Sequence, residues 1–266
     1  FPEYDKANLA TQNIRQLEDR LTGATEEQSD ETSELGPFKE LRMENVEFRR
    51  TDAQGQLIFG IGPLNLTIKA GEIVFFVGGN GSGKTTTMRT LTGLYPPSAG
   101  ALLINGIRLG PHNIQSYREM IAAIFTDFHL FKTLYGFEDE VSVVEVQKLL
   151  QQMEIANKTK LVDGMWTSVE MSTGQRKRLA MVISLLEDRP IYIFDEWAAD
   201  QDPEFRHYFY EVLLQDLKKR GKTVIAISHD DRFFHCADQV ITLEYGKVRS
   251  SVRPRDNPGP QPTMIG

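Results

Sequence analysis

Three short runs along the chain contain no polar position: IVFFV (73–77), IYIF (191–194) and VIAI (224–227). Each is short for a helix and rich in β-branched or aromatic residues, the composition of strands buried on both faces of a parallel sheet. Each also ends in residues that a core does not require: Gly78 with a glycine-rich loop, Asp195 with Glu196, and Ser228 with His229. Ligands of open α/β sheets bind beyond the carboxyl ends of the strands, so three such ends predict one shared site.

Elsewhere alternation replaces the solid runs. LRMENVEF and LNLTIKAGE, in the region 41–68, predict a small antiparallel sheet. A helical pattern, clearest in EVQKLLQQMEI, predicts an inserted helical subdomain over about 116–175. In PEFRHYFYEVLLQDLKKR, Phe205, Tyr208, Phe209, Val212, Leu213 and Leu217 form an apolar stripe; Asp202 is its N-cap, Pro203 its first residue, and Gly221 follows its end. Lys218, Lys219 and Arg220 suit the negative end of that helix.

Near the beginning, Ala10, Ile14, Leu17 and Leu21 recur at helical spacing before the acidic stretch TGATEEQSDETSELGP. With no initial Met, residues 1–37 read as a linker helix and acidic linker from an upstream domain. Residues 38–250 then form the α/β domain, and 251–266, rich in Pro and Gly, predict a disordered tail.

Composition narrows the classes. Hydrophobic residues make up 40% of the 266 and charged residues 25%, the range of a folded globular chain. A net charge of -7 gives no basic field for a nucleic-acid backbone, so an anionic ligand must be held by local geometry. The single cysteine, Cys236, excludes an internal disulfide, and the five histidines have no CxxC or HExxH companions. No apolar run approaches the roughly 18–20 residues that cross a bilayer.

GGNGSGKT matches G-x-x-x-x-G-K-[ST] through Gly78, Gly83, Lys84 and Thr85, between a strand and the helical TTTMRTLTG. Backbone N–H groups from Gly78, Gly79, Asn80, Gly81, Ser82 and Gly83 through Thr86 would converge on phosphate oxygens at a helix N-terminus. Lys84 is expected to neutralise the β- and γ-phosphates and Thr85 to hold Mg²⁺. Asp195 would position Mg²⁺ through its water shell, Glu196 would polarise the attacking water, and His229 would contact the γ-phosphate. A second anion grip, Ser172, Thr173, Gly174 and Gln175, opens directly into an apolar-periodic run. The first site is complete without it, so it would fit a phosphate held by another copy.

The order of glycine loop, MSTGQ, IFDE, AADQD and ISH resembles that of ATP-binding cassette ATPases, over about residues 41–248. The resemblance implies a P-loop NTPase (RecA-like) α/β core with an antiparallel β subdomain and a helical subdomain, binding ATP and Mg²⁺. It also implies a head-to-tail dimer in which the signature loop, usually LSGGQ, closes over the partner's ATP. Met171 replaces its Leu and Thr173 its first Gly. The family pattern makes Ala199 to Asp202 the D-loop, so Asp202 has a nucleotide-side role beside its capping one, and makes His229 the switch histidine.

Two positions depart from the family. Thr126 or Asp127, in AAIFTDFHLF, stands where a glutamine usually contacts Mg²⁺, and an aspartate there could still coordinate it. Arg50 stands where an aromatic usually stacks on adenine; it could stack by its guanidinium plane, or Phe48 or Phe59 could substitute.

STGQRKRLA, DEWAADQDPEFR and GKTVIAISHDDRFFHCADQVITLEYGK most resemble bacterial cyclic-peptide and siderophore exporters of the pyoverdine and syringomycin types. That likeness implies a transmembrane domain on the same polypeptide, a place at the cytoplasmic face of the bacterial inner membrane, and a cyclic peptide or peptide siderophore as cargo. A soluble relative acting on nucleic acid would want a basic surface, tandem cassettes or a long coiled-coil insertion, and pI ≈ 5.4 argues against it. A nucleotide-dependent dimerisation module without catalysis is opposed by Glu196 and His229.

Overall fold

The computed structural model describes residues 35–52, 54–135 and 141–254. The helix expected over 8–21, the acidic linker through residue 34 and the tail from 255 lie outside the described residues.

Two sheets carry the domain. β1 (Glu40–Thr51) and β2 (Leu57–Lys69) pair antiparallel, and β4 (Ala99–Ile104) with β5 (Ile107–Arg108) completes a four-stranded sheet in the order β2-β1-β4-β5. The side-chain amide of Asn105, in the turn between β4 and β5, fastens the entering chain to this sheet. Its Nδ2 donates to the carbonyls of Leu35 (2.7 Å) and Pro37 (2.9 Å), and its Oδ1 accepts from the N–H groups of Lys39 (2.8 Å) and Glu40 (3.2 Å).

The second sheet has six strands, ordered β12-β11-β3-β10-β9-β6. β3 (Ile73–Val77), β9 (Ile191–Phe194) and β10 (Thr223–Ile227) are the three solid apolar runs; they lie side by side, parallel and buried. β6 (Ile121–Ile124) and β11 (Gln239–Glu244) flank them in parallel, and β12 (Lys247–Val252) closes one edge antiparallel. Strand alternation splits the core in two. Val74, Phe76, Ile193 and Ile225 face the antiparallel sheet together with Met88 and Leu91 of α1 (Lys84–Leu91) and Tyr117 of α2 (Ile114–Arg118). Phe75, Tyr192, Phe194 and Ala226 face the other helices.

Those helices include α3 (Val143–Gln152), followed by the small hairpin β7 (Leu161–Val162) and β8 (Met165–Trp166), and then α4 (Thr173–Glu187). After β9 come a 3-10 turn (Trp197–Asp200), α5 (Pro203–Tyr208), a π-helical turn (Phe209–Leu213) and α6 (Leu214–Lys219). A second 3-10 turn, Asp231–Cys236, follows β10.

Three expectations change. The sequence pattern assigns 116–124 to the helical subdomain, but Ile121–Ile124 is a core strand paired with β9; IAAI is too short for its period to be read. A boundary at residue 250 cuts β12, which continues to Val252 because Val240 pairs with Val252, Gln239 Nε2 donates to Ser251 Oγ (2.8 Å), and Arg253 pairs with Glu72 (2.9 Å). The apolar stripe from Phe205 also shifts. The π turn adds residues to its loop and rotates the buried face, so Tyr210 and Leu214 are buried while Val212 is 49% exposed.

Candidate functional site

The glycine loop joins β3 to α1 at the carboxyl end of the parallel sheet. Gly78 has φ 147°, and a Cβ there would lie 2.3 Å from the Leu243 carbonyl oxygen and 2.8 Å from Ser82 Oγ, so only glycine permits this packing. Lys84 is buried and its ammonium folds back to donate to the carbonyls of Gly78 and Gly79, each at 2.9 Å. Burial lowers its pKa, while the charges of Glu196 and Asp195 oppose the shift. Asn80, Gly81, Gly83, Lys84, Thr85 and Thr86 line a cavity of about 330 Å³ together with Phe59 and Glu196.

Thr85 and Asp195 meet across the loop. The Thr85 hydroxyl donates to Asp195 Oδ1 at 3.3 Å, and Asp195 Oδ2, buried, has no hydrogen-bond partner among the described residues. Burial pushes the Asp195 carboxyl above the usual carboxylate range; the Thr85 hydroxyl pulls it back and Glu196 adds to the rise. A buried carboxylate oxygen without a donor, beside a hydroxyl oxygen, is a hard-oxygen pair that suits a hydrated Mg²⁺.

Glu196 follows β9 with φ 50°, an uncommon conformation for a side-chain-bearing residue. His229, following β10, lies with Nε2 2.9 Å from Glu196 Oε1; in the Nε2–H tautomer it donates to the carboxylate. Glu196 also lines a second cavity of about 290 Å³ with His229, Asp230, Arg206 and Ala199. It is the one residue shared by that cavity and the glycine-loop cavity.

Other expected residues have different neighbours. Asp127, read as a Mg²⁺ ligand, is instead paired with Arg89 of α1 at 2.7 Å, whereas the Thr126 backbone contributes to holding the Asp195 charge. Phe48 is occupied by stacking on Tyr95, with centroids 4.8 Å apart, and Arg50 is exposed; Phe59, opposite Arg50 in register, reaches the glycine-loop cavity. Asp202 caps α5, accepting from the Phe205 N–H at 2.8 Å, and pairs with Arg178 at 2.6 Å. The Phe205 hydrogen bond, with Arg178 in support, holds its carboxyl below the usual range.

Ser172 caps α4 in a reciprocal box with Gln175: the Gln175 N–H donates to Ser172 Oγ (3.4 Å) and the Ser172 N–H to Gln175 Oε1 (3.3 Å). Ser172 and Thr173 are exposed, and they lie apart from the glycine-loop cavity's lining. Gly174 lets the loop press on the 3-10 turn, where a Cβ would lie 2.6 Å from the Asp200 carbonyl oxygen. Gln201 Nε2 donates to the Gly174 carbonyl at 3.1 Å.

Sequence reading missed Lys177, Arg178 and Trp197, which join α4 to this turn. The Trp197 indole N–H donates to the Lys177 carbonyl at 3.0 Å, and both cations are buried. A signal was present: Lys177 lies one helical turn before the core residue Met181, on the inward face.

A parallel sheet with a phosphate-loop strand and helix, and two acids at the end of the next strand but one, defines a P-loop ATPase. The chain belongs to the ABC transporter family, whose sequence model matches residues 61–199, and it is an ABC ATPase domain. It is 44% identical over 216 residues to the ATP-binding protein SyrD of Pseudomonas syringae pv. syringae, covering 80% of this chain and 38% of that protein. It is 31% identical over 225 residues to the ATP-dependent lipid A-core flippase of Ralstonia nicotianae, covering 79% and 37%. The chain thus spans less than two fifths of the length of these relatives. A bacterial Atm1-family ABC exporter with ATP bound shares the fold with TM-score 0.68 at 24% identity, over 82% of this chain and 39% of that one. A dimeric ATP-binding cassette in a post-hydrolysis state with ADP and Pi gives TM-score 0.67 at 24% identity, over 80% and 98%. Among the described residues no helix is long and apolar enough to cross a membrane.

Proposed function

We propose that the chain is the ATP-hydrolysing motor of an exporter, working at the cytoplasmic face of a bacterial inner membrane with a transmembrane domain on the same polypeptide. The observation that carries the catalytic part is Glu196 itself, shared between two cavities, with the Lys84 loop on one side and His229 Nε2 at 2.9 Å on the other. Gly78 to Thr86 hold the phosphates by backbone N–H groups, and Phe59 seats the base. Lys84 leaves its two loop carbonyls for phosphate oxygens. Thr85 and Asp195 would hold Mg²⁺, which when bound offsets charge on the β- and γ-phosphates. Glu196 accepts a proton from water as the water oxygen bonds to the γ-phosphorus. The bond from that phosphorus to the β–γ bridging oxygen breaks, its electron pair leaves with ADP, and His229 donates to the γ-phosphate.

Ser172 to Gln175 stand apart from this cavity, which supports a head-to-tail pair in which each copy's loop covers its partner's ATP, with Asp202 nearby. The exposed Phe131 and the segment from Thr126 offer a face for passing the motion to membrane helices. The resemblance of STGQRKRLA and DEWAADQDPEFR to cyclic-peptide and siderophore exporters supports a cyclic peptide or peptide siderophore as cargo. Mg²⁺-dependent ATP hydrolysis against protein concentration tests the scheme. Specific activity should rise with concentration and collapse in Ser172→Arg; activity indifferent to both would remove the paired mechanism.

A further inference from the structure

α4 carries two adjacent buried cations with different tasks. Arg178 packs over the Phe205 ring at 3.5 Å and reaches Glu154, Gln201 and Asp202, joining the helical region to the start of α5. Lys177 is directed at the turn that bears the general base. Its side chain is 3% exposed, and its ammonium donates to the Glu196 main-chain carbonyl (2.8 Å) while pairing with Asp200 Oδ2 (2.6 Å). Its own carbonyl accepts from the Trp197 indole at 3.0 Å, so residue 177 is bonded to the turn from both side chain and backbone.

An ammonium is expensive to bury, and an apolar chain of similar length would fill the space without that cost. What the cation adds is direction. Glu196 sits at φ 50°, and a hydrogen bond to its carbonyl fixes the peptide that leaves it, and with it the direction of the carboxylate. The same helix begins with the Ser172–Gln175 loop, and Ser172 is about 7.5 Å from Lys177 along the axis at 1.5 Å per residue. Gly174 presses against the Asp200 carbonyl within that span, so loop, helix turn and Asp200 form one packed unit.

We infer that Lys177, with Asp200, is a positioning residue that makes the placement of Glu196 depend on the Ser172–Gln175 loop of its own subunit. This rests on the reading that the loop closes over a partner's nucleotide. A shift of α4 on engaging that nucleotide is then delivered to Glu196, so filling one site prepares the other for hydrolysis.

The test is steady-state ATP turnover by the 266-residue chain as wild type, Asp200→Ala, Lys177→Met and Lys177→Arg, with nucleotide-dependent dimerisation followed in a Glu196→Gln background. Asp200 is 46% exposed, and when it is cut back the Lys177 ammonium keeps the Glu196 carbonyl as acceptor at 2.8 Å, so this variant is the milder of the two, and thermal melts check that it folds. Asp200→Ala should lower kcat by about 10- to 100-fold, the cost of a catalytic group misplaced by a fraction of an ångström to an ångström. Its KM and dimerisation should stay unchanged, and its cooperativity in ATP should be lost. Lys177→Arg should recover part of the kcat that Lys177→Met loses. Wild-type kcat and cooperativity in Asp200→Ala would overturn the inference while leaving the ATPase reading intact. So would loss of its dimer, which would make Asp200 a subunit-contact residue. No turnover in the wild type would overturn both.

Discussion

Replacing Asp195 with Asn removes a charge from a place where the fold holds it against its preference. The residue is 1% exposed, one oxygen receives the Thr85 hydroxyl at 3.3 Å, the other has no hydrogen-bond donor among the described residues, and the Thr126 backbone gives the charge partial support. Leaving such a group unsatisfied costs on the order of 1–3 kcal/mol, and more for a charged group. Asparagine keeps the shape and the acceptor toward Thr85, and its amide nitrogen, though also without a partner there, is neutral, so the smaller penalty of an uncharged group replaces that of a charge. We therefore expect the variant to be more stable than the wild type by about 1–2 kcal/mol at neutral pH. For a domain of this size that is about 2–4 °C in Tm per kcal/mol.

The pH dependence gives the sharper test. Burial raises the folded-state pKa of Asp195 above its unfolded value of about 3.9. Between the two values the native state binds more protons than the unfolded state, so this group's contribution to stability falls as pH rises through the window and stays low above it. Asparagine has no such titration. Melts without nucleotide should give a difference that is small below the free-carboxylate range, grows with rising pH, and levels off above the raised pKa. Adding Mg²⁺ and ATP should reverse the order, because the wild-type carboxylate then gains its counter-charge. A variant less stable than wild type at neutral pH, or a difference flat with pH, would refute the reasoning.

Glu196→Gln should lose turnover while accumulating ATP-bound dimers, measured by phosphate release and by light scattering; unchanged hydrolysis would move the general base elsewhere. Trp197, 1% exposed and stacked on Phe209 with centroids 4.6 Å apart, should cost about 3–5 kcal/mol when cut to Ala, read by denaturant unfolding. A loss below about 1 kcal/mol would mean the site collapses around the gap. Aromatic stacking is worth about 1–3 kcal/mol per base, so Phe59→Ala should raise the KM for ATP roughly 5- to 150-fold with little change in kcat. An unchanged KM would return the base seat to Arg50.

The meeting of three polar strand ends was legible because their chemistry is local. A glycine loop, a pair of acids and a histidine each follow a solid apolar run, and the parallel sheet alone brings them together. Edge strands were not: β6 is four residues of IAAI, and β12 is KVRSSV, with polar side chains on exposed positions. The π turn was hidden for another reason. Nothing in FYEVL breaks a helical period, and only packing of Tyr210 against Phe233, centroids 4.5 Å apart, reveals the rotation. The partner that Asp127 has in the fold was not legible either: Arg89, thirty-eight positions earlier, pairs with it, and such a pairing is tertiary information.

Asn105 makes the entrance of the domain a mechanical joint. Four hydrogen bonds from one side-chain amide hold Leu35, Pro37, Lys39 and Glu40, and Leu35 itself is buried in the core shared with the parallel sheet. Tension on the preceding residues would therefore be divided between β1, into which the chain runs, and the turn of β4 and β5, which holds it through Asn105. Such a load would enter the antiparallel sheet through its two inner strands, β1 and β4.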